Sequence, residues 1–197
     1  MTTQILPNPR LTTLIAVLAL GVVGAAQAQT DTSSTSGNSS MAAPAGTDQS
    51  SMVAHRDRSF CEKAAEGSSQ ELALSQLAAD HSQNSDVKEF AAKMVSDHTA
   101  LNSKLMDLAS RKGVSLDKYV TKGQQDDVDS MAKENGADFD KDYLKHMVKG
   151  HTEMVELFKA EGAKSKDADL AGFANDNVMT IQHHLDMAES LQQKANP

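Results

Sequence analysis

Three histidines and one glutamate occupy positions where helices normally carry apolar side chains. His98, His151 and His184 each lie in a stripe of apolar residues spaced three and four apart, on three predicted helices. Glu71 lies in the matching stripe of a fourth. Buried His and Glu side chains require partners, because removing a polar group from water costs free energy. The four groups could bind one another or share a metal ion in the middle of a helical bundle.

The donor types restrict the metal chemistry. Carboxylate-bridged di-iron centres in bundles use Glu-x-x-His pairs. In this chain the positions three residues before the histidines hold Val95, Val148 and Ile181. An oxygen-activating di-iron centre is therefore disfavoured. Three imidazoles with one carboxylate suit zinc, copper or a single non-haem iron.

A structural role is the alternative interpretation of the same residues. Each histidine could hydrogen-bond a neighbouring acid or tyrosine and only fix the register of the helices. Met94, Met147 and Met154 lie in the same stripes and are interpreted as core residues, because methionine at helical spacing is usually a filler of apolar gaps. Asp97 is adjacent to His98 but points about 100° away, so it is expected at the surface or behind a ligand.

Helical periodicity dominates the chain from about residue 58 onward, and no proline occurs between Pro44 and Pro197. The pattern predicts an all-α, ferritin-like four-helix up-down bundle, with a short extra helix in the central connection. The expected long helices are 59–82, a second from 85–86 to a cap at Gly113, a third from Asp138 closed by Gly162, and a fourth from 165–167; the short helix is expected at 124–134.

Counting residues from the two short turns predicts the heights of the polar groups. Glu71 and His98 lie at nearly equal distances from a turn near residue 84, so we expect them in direct or metal-bridged contact. His151 and His184 lie 14 and 19 residues from a turn near 165. That offset corresponds to about 7.5 Å along the helix axis. Asn177 is closer in height to His151, so His184 is the weakest of the expected ligands.

The N-terminus has the features of a secretory signal peptide. Arg10 precedes an apolar run from Leu11 to Ala26, and Ala26-Gln27-Ala28 supplies a cleavage site after Ala28. The run is shorter than the ~20 residues of a spanning helix, which disfavours an uncleaved anchor. We expect residues 1–28 to be the signal peptide, and the mature chain to be periplasmic or secreted, or associated with the outer membrane, without a transmembrane segment.

Composition limits the partners of the mature chain. Residues 29–56 are rich in Ser and Thr and are predicted to be a disordered linker to a bundle at 57–195. Removal of Arg10 leaves 18 basic and 27 acidic residues, a net charge of −9. Such a chain does not attract nucleic acid through its overall field. Cys61 is the only cysteine and is interpreted as a small, half-buried residue near a helix start.

Four segments resemble a known bacterial family. They are FCEKAAEGSSQELALSQLA, VKEFAAKMVSDHTALNSKLMDLA, FDKDYLKHMVKGHTEMVELF and FANDNVMTIQHHLDMAESL. Together they are similar to the secreted, ferritin-like family named domain of unknown function 4142. The resemblance implies an exported bundle without an established reaction. It also implies a set of shared polar positions, which here fall on Glu71, Asp97, His98, Tyr143, His151 and His184.

Two functional classes follow from these observations. The first is a non-catalytic metal-binding module of the cell envelope, for metal handling or stress protection. The second is a structural or protein-interaction bundle without metal. A homo-oligomer is compatible with either class. A metal-dependent oxidoreductase is a less favoured third class.

Overall fold

The computed structural model describes residues 54–116 and 120–195, which form five α-helices and contain no strand. The helices are α1 (His55–His81), α2 (Ser85–Arg111), α3 (Lys122–Met131), α4 (Gly136–Lys164) and α5 (Ala168–Ala195). Four long helices with a short helix in the central connection confirm the predicted all-α bundle. The predicted signal peptide at 1–28, and nearly all of the predicted linker at 29–56, lie outside the described residues. Among those that are described, no helix has the length and apolar character needed to cross a membrane.

Local sequence signals fix the helix ends. The side chain of Asn84 accepts hydrogen bonds from the first backbone amides of α2, and Asp167 does the same for α5. Thr121 and Gln124 form a reciprocal capping box at the start of α3. Gly113 and Gly136 adopt positive φ angles of 69° and 60°, at the end of α2 and the start of α4.

The long helices form two hairpins. Short connections at 82–84 and 165–167 join α1 to α2 and α4 to α5, so each pair is antiparallel. Helix α1 also packs on α4, and α2 packs on α5, which closes a four-helix arrangement. Helix α3 packs against α1 and α4 and therefore covers one outer face of the bundle.

The apolar core is divided into two clusters along the bundle axis. On α2, residues from Val87 to Met94 belong to one cluster and residues from Leu101 to Ala109 belong to the other. His98 lies between them. The same order holds on α4, where His151 separates the two clusters, and on α1, where Glu71 does so. The predicted polar groups thus form a layer across the middle of an otherwise apolar core.

Several helix boundaries differ from the expected ones, including those of the short helix α3, which spans Lys122–Met131 instead of 124–134. Helix α1 begins at His55, four residues before the expected start. Helix α4 continues through Gly162 to Lys164, so the prediction that Gly162 closes it is wrong. A Cβ atom at position 162 would collide with the side-chain amide of Asn175 on α5. Gly162 therefore lies within α4 and does not end that helix. Its lack of a side chain allows α5 to approach closely.

Candidate metal centre

The three histidines predicted from the sequence meet in the polar layer. His98 comes from α2, His151 from α4 and His184 from α5, and their side chains are at most 2% exposed. The ring centroids are 5.5 to 5.6 Å apart in all three pairs. Each ring offers one nitrogen, and these three atoms lie within 4.8 Å of one another. We call this group the histidine cluster.

One nitrogen of each ring is held by a hydrogen bond. His151 Nδ1–H donates to the backbone carbonyl of Met147, and His184 Nε2–H donates to Asp97 Oδ2, both at 2.8 Å. His98 Nδ1 lies 2.8 Å from Ser68 Oγ. Partners of this kind orient imidazole ligands in metalloproteins and fix the tautomer.

The other nitrogen of each ring has no partner. His98 Nε2, His151 Nε2 and His184 Nδ1 are buried and make no hydrogen bond. Since His151 and His184 each donate their proton elsewhere, their free nitrogens carry lone pairs in the neutral form. Two lone pairs cannot hydrogen-bond each other, and no side-chain donor is within hydrogen-bonding distance of them, so these atoms are free to accept a hydrogen bond or to bind a metal ion.

Burial keeps the cluster uncharged near neutral pH. Removal from water, together with the nearby histidines, lowers the pKa of His98 to about 3. Burial likewise lowers the pKa of His151 to about 4, against the opposing effect of its bond to Met147. Burial also lowers the pKa of His184, although Asp97 opposes the shift. Neutral imidazole is the form that binds metals.

Glu71 lies beside two of the three rings. Its Oε2 is 3.6 Å from His98 Nε2 and its Oε1 is 3.1 Å from His151 Nδ1. Neither oxygen receives a hydrogen bond, although the residue is only 2% exposed. Burial, with a smaller contribution from Glu153, raises the pKa of Glu71 well above its ordinary value. The structure thus places the predicted carboxylate next to the free nitrogen of His98.

A glycine on α4 makes room for this carboxylate. A Cβ atom at Gly150 would lie 2.5 Å from Glu71 Oε1, closer than side chains approach one another in folded proteins. The position of Glu71 therefore depends on the absence of a side chain next to His151.

The two predicted supporting residues have different surroundings. Asp97 accepts hydrogen bonds from His184 and, at 2.9 Å, from Lys93 Nζ. Burial opposes its ionisation, but these two bonds prevail and hold the pKa of Asp97 below its ordinary value. Tyr143 is buried, and its hydroxyl pairs at 2.8 Å with Ser75 Oγ, without a hydrogen bond to any of the three histidines. Tyr143 therefore joins α4 to α1 next to the polar layer.

The expected separation of His151 and His184 is absent, because side chains in a helix lean toward its N-terminus. With the turn centred on residue 166, His151 is 15 residues before it and His184 is 18 after it. On α4 the lean carries His151 away from the turn, and on α5 it carries His184 toward the turn. The two displacements are opposite in space, and each reduces the difference in height between the two side chains, so the rings meet.

Three contributors were missed by the sequence reasoning. Ser68 lies three residues before Glu71, on the same face of α1, and this spacing could have indicated a partner for His98. The Met147 carbonyl is a backbone group four residues before His151, which side-chain types do not reveal. Gly150 precedes His151 directly but becomes informative only once α1 is placed against α4.

Comparison with known proteins places the chain in a family. Neither the curated proteins nor the solved structures yielded a match. The family described as Domain of unknown function (DUF4142) matches residues 42–191, which include the whole histidine cluster and Glu71. Since the match covers most of the sequence, the chain belongs to the family Domain of unknown function (DUF4142).

Proposed function

We propose that this protein binds a transition metal ion through His98, His151 and His184, with Glu71 as a fourth group whose carboxylate form the bound cation would stabilise. One observation carries the proposal. Three buried imidazoles from three helices are each held by a hydrogen bond through one nitrogen and have the other nitrogen without a partner. Their clustering within 4.8 Å is compatible with shared coordination of one ion.

The cost of the unpartnered atoms argues against a purely structural role. A buried polar atom without a hydrogen bond destabilises a protein by about 1–3 kcal/mol. The polar layer contains five such atoms, namely the two oxygens of Glu71 and one nitrogen of each histidine. A set that only fixed helix register would satisfy these atoms among its own members. A cation accepts the lone pairs and removes the penalty.

Charge and donor type support a divalent ion. Three neutral imidazoles contribute no charge, so a buried dication requires an anion close by. Glu71 lies beside the cluster, and Asp97 supports His184 from behind, as carboxylates do for many histidine ligands. Nitrogen and oxygen donors without thiolate suit Zn²⁺, Cu²⁺ or Fe²⁺.

We place this binding in the cell envelope and propose metal handling or stress protection as its role. Support for this location comes from the signal-peptide pattern of residues 1–28. Under this proposal the protein retains a metal that has reached the envelope.

Metal content and thermal stability test the proposal. Protein purified without a histidine tag should contain stoichiometric metal by elemental analysis, and EDTA should lower its melting temperature. Binding to the folded state alone stabilises it by about 2.7 kcal/mol when free metal is at 100 times its dissociation constant. The variant His151→Ala should lose both the metal and the response to EDTA. A matched control is His183→Ala, since His183 is exposed on α5.

Two results would contradict metal binding. One is wild-type protein that contains no metal, takes up none from solution and melts at the same temperature with and without EDTA. The other is a His151→Ala variant with the same metal content as His183→Ala. Either result favours the structural alternative.

A further inference from the structure

An open groove reaches the polar layer from one side of the bundle. It lies between α1 and α4 beside α3, has a volume of about 550 Å³, and is lined by Gly67, Glu71, Asp127, Gly150 and Glu153 among others. We call it the α1–α4 groove. Gly67 and Gly150 contribute no side chains, so the groove extends inward between the two helices.

Glu71 separates the groove from the histidine cluster. It lines the groove, yet it is 2% exposed and neither of its oxygens has a hydrogen-bond partner. On its inner side it lies 3.6 Å from His98 Nε2 and 3.1 Å from His151 Nδ1. A carboxylate in this position can contact a cation in the groove and a cation in the cluster.

The charge of the groove favours cations. Five acidic side chains line it, against two lysines. Clefts lined by one sign of charge concentrate ions of the opposite sign and accelerate their association. Glu153 is exposed at this opening and lies close enough to Glu71 to influence its ionisation.

The opposite face of the bundle is a poorer approach. A cavity of about 30 Å³ between α2 and α5 borders His98, His184 and Asp97, enough for about one water molecule. Asp97 is held there by the ammonium group of Lys93 at 2.9 Å. A cation arriving on this side would approach the positive charge of Lys93.

We propose that divalent cations reach the histidine cluster through the α1–α4 groove and pass Glu71 at its inner end. This inference rests on the proposed metal binding and adds the direction of entry. Its test is the rate of metal loading, which is separate from whether metal binds at equilibrium.

Charge variants test the route with Co²⁺ as the probe, because its absorption reports coordination in a stopped-flow experiment. The pair Asp127→Asn and Glu153→Gln removes two negative charges from the α1–α4 groove. The control pair, Asp107→Asn and Asp176→Asn, removes two from a surface groove between α2 and α5 and changes the net charge equally. The first pair should slow loading about tenfold, the lower end of such steering effects, and the control pair should not. High salt should reduce the difference.

A steric pair of variants tests the route independently of charge. Gly67→Leu places a side chain in the α1–α4 groove, where a Cβ would lie 3.3 Å from the flexible end of Met154. Gly172→Leu places the same side chain on α5, where no atom lies within 4 Å of the added Cβ. Leucine favours helix over glycine by roughly 1 kcal/mol, so both variants should fold. Gly67→Leu should load Co²⁺ more slowly than Gly172→Leu, with equal final stoichiometry.

The outcomes separate the route from the function. The route would be overturned if each groove variant loaded Co²⁺ as fast as its matched control and with full stoichiometry. Metal binding itself would then stand. Wild-type protein that binds no Co²⁺, Zn²⁺ or Cu²⁺ would overturn the proposed function and the route with it. Slower loading in the two groove variants alone supports the route.

Discussion

Replacement of Gly150 by alanine tests the placement of Glu71 directly. The added Cβ would lie 2.5 Å from Glu71 Oε1, whereas ordinary contact begins at 3.4 Å. The carboxyl group must therefore move by ~0.9 Å, away from a position between His98 and His151. Because Glu71 is buried among packed side chains, we expect this displacement to cost about 1–3 kcal/mol, as for other overpacked positions.

The same substitution also replaces a glycine within a helix by alanine. That replacement alone stabilises the folded state by about 0.5–1 kcal/mol. Gly172→Ala on α5 provides the reference, since no atom lies within 4 Å of its added Cβ. Subtracting the change in unfolding free energy of Gly172→Ala from that of Gly150→Ala cancels the contribution of helix preference. The expected difference between the variants is about 1–3 kcal/mol, with Gly150→Ala the less stable.

The energetic coupling between position 150 and Glu71 can be measured by urea unfolding of metal-free protein. Gly150→Ala, Glu71→Ala and the double variant form the double-mutant cycle. Once Glu71 is truncated, Gly150→Ala should become as stabilising as Gly172→Ala. In the presence of Co²⁺, Gly150→Ala should also bind the ion more weakly than wild type. If Gly150→Ala stabilises the wild-type protein as much as Gly172→Ala does, the carboxylate of Glu71 does not occupy the space beside His151, and the reasoning is refuted.

Three further predictions concern charge. Asp97→Asn should weaken Co²⁺ binding about 10- to 100-fold in an equilibrium titration, because the partner of His184 loses its charge. In EDTA-treated protein the free energy of unfolding should fall as pH decreases from 6.5 toward 4, because unfolded histidines gain protons while His98 and His151, with folded pKa values of about 3 and 4, stay neutral. The expected slope is about 1.4 kcal/mol per pH unit for each histidine. Glu161→Gln should stabilise the protein at pH 7, because burial and then Asp57 raise the pKa of Glu161 and its charged form is penalised in the folded state. This gain should vanish well below pH 4.5, where the carboxyl group is protonated whether folded or unfolded.

Matched variants at exposed positions control these three experiments. Asp107→Asn removes an equivalent charge from an exposed position of α2, more than two turns beyond Asp97, and should leave Co²⁺ affinity unchanged. His183→Gln should keep the full pH slope, whereas His151→Gln should lose part of it. Glu156→Gln should have little effect at pH 7. Destabilisation by Glu161→Gln at pH 7 would show that the ion pair with Arg56 outweighs the burial penalty.

The polar layer could be predicted from sequence because its members interrupt apolar stripes of constant spacing. Glu71 and His98 were placed at one height by counting residues from a short turn, and the structure brings them to 3.6 Å. The same count separated His151 from His184, since it used Cα positions and ignored the lean of side chains along the helix. Centring the turn on residue 166 and correcting each side chain by about one residue reduces the offset to about one residue.

Other features depend on how helices approach one another, which spacing within a single helix does not encode. Gly162 has the appearance of a helix end, yet it serves the contact of α4 with Asn175 on α5. The α1–α4 groove exists because Gly67 and Gly150 face the same space from different helices. Ser68 is one of several small residues in α1; its spacing from Glu71 places it on the right face, and the packing of α2 then identifies it as the partner of His98.

The division of the polar layer between the two hairpins has a consequence for the order of folding. The α1–α2 hairpin carries Glu71 and His98, and the α4–α5 hairpin carries His151 and His184, so neither hairpin alone holds the full set of donors. An ion can be enclosed only after the hairpins have docked. Interactions that form after the folding transition state slow unfolding and leave the folding rate nearly unchanged. A bound ion would therefore slow unfolding and lengthen the lifetime of the folded bundle, without increasing the folding rate.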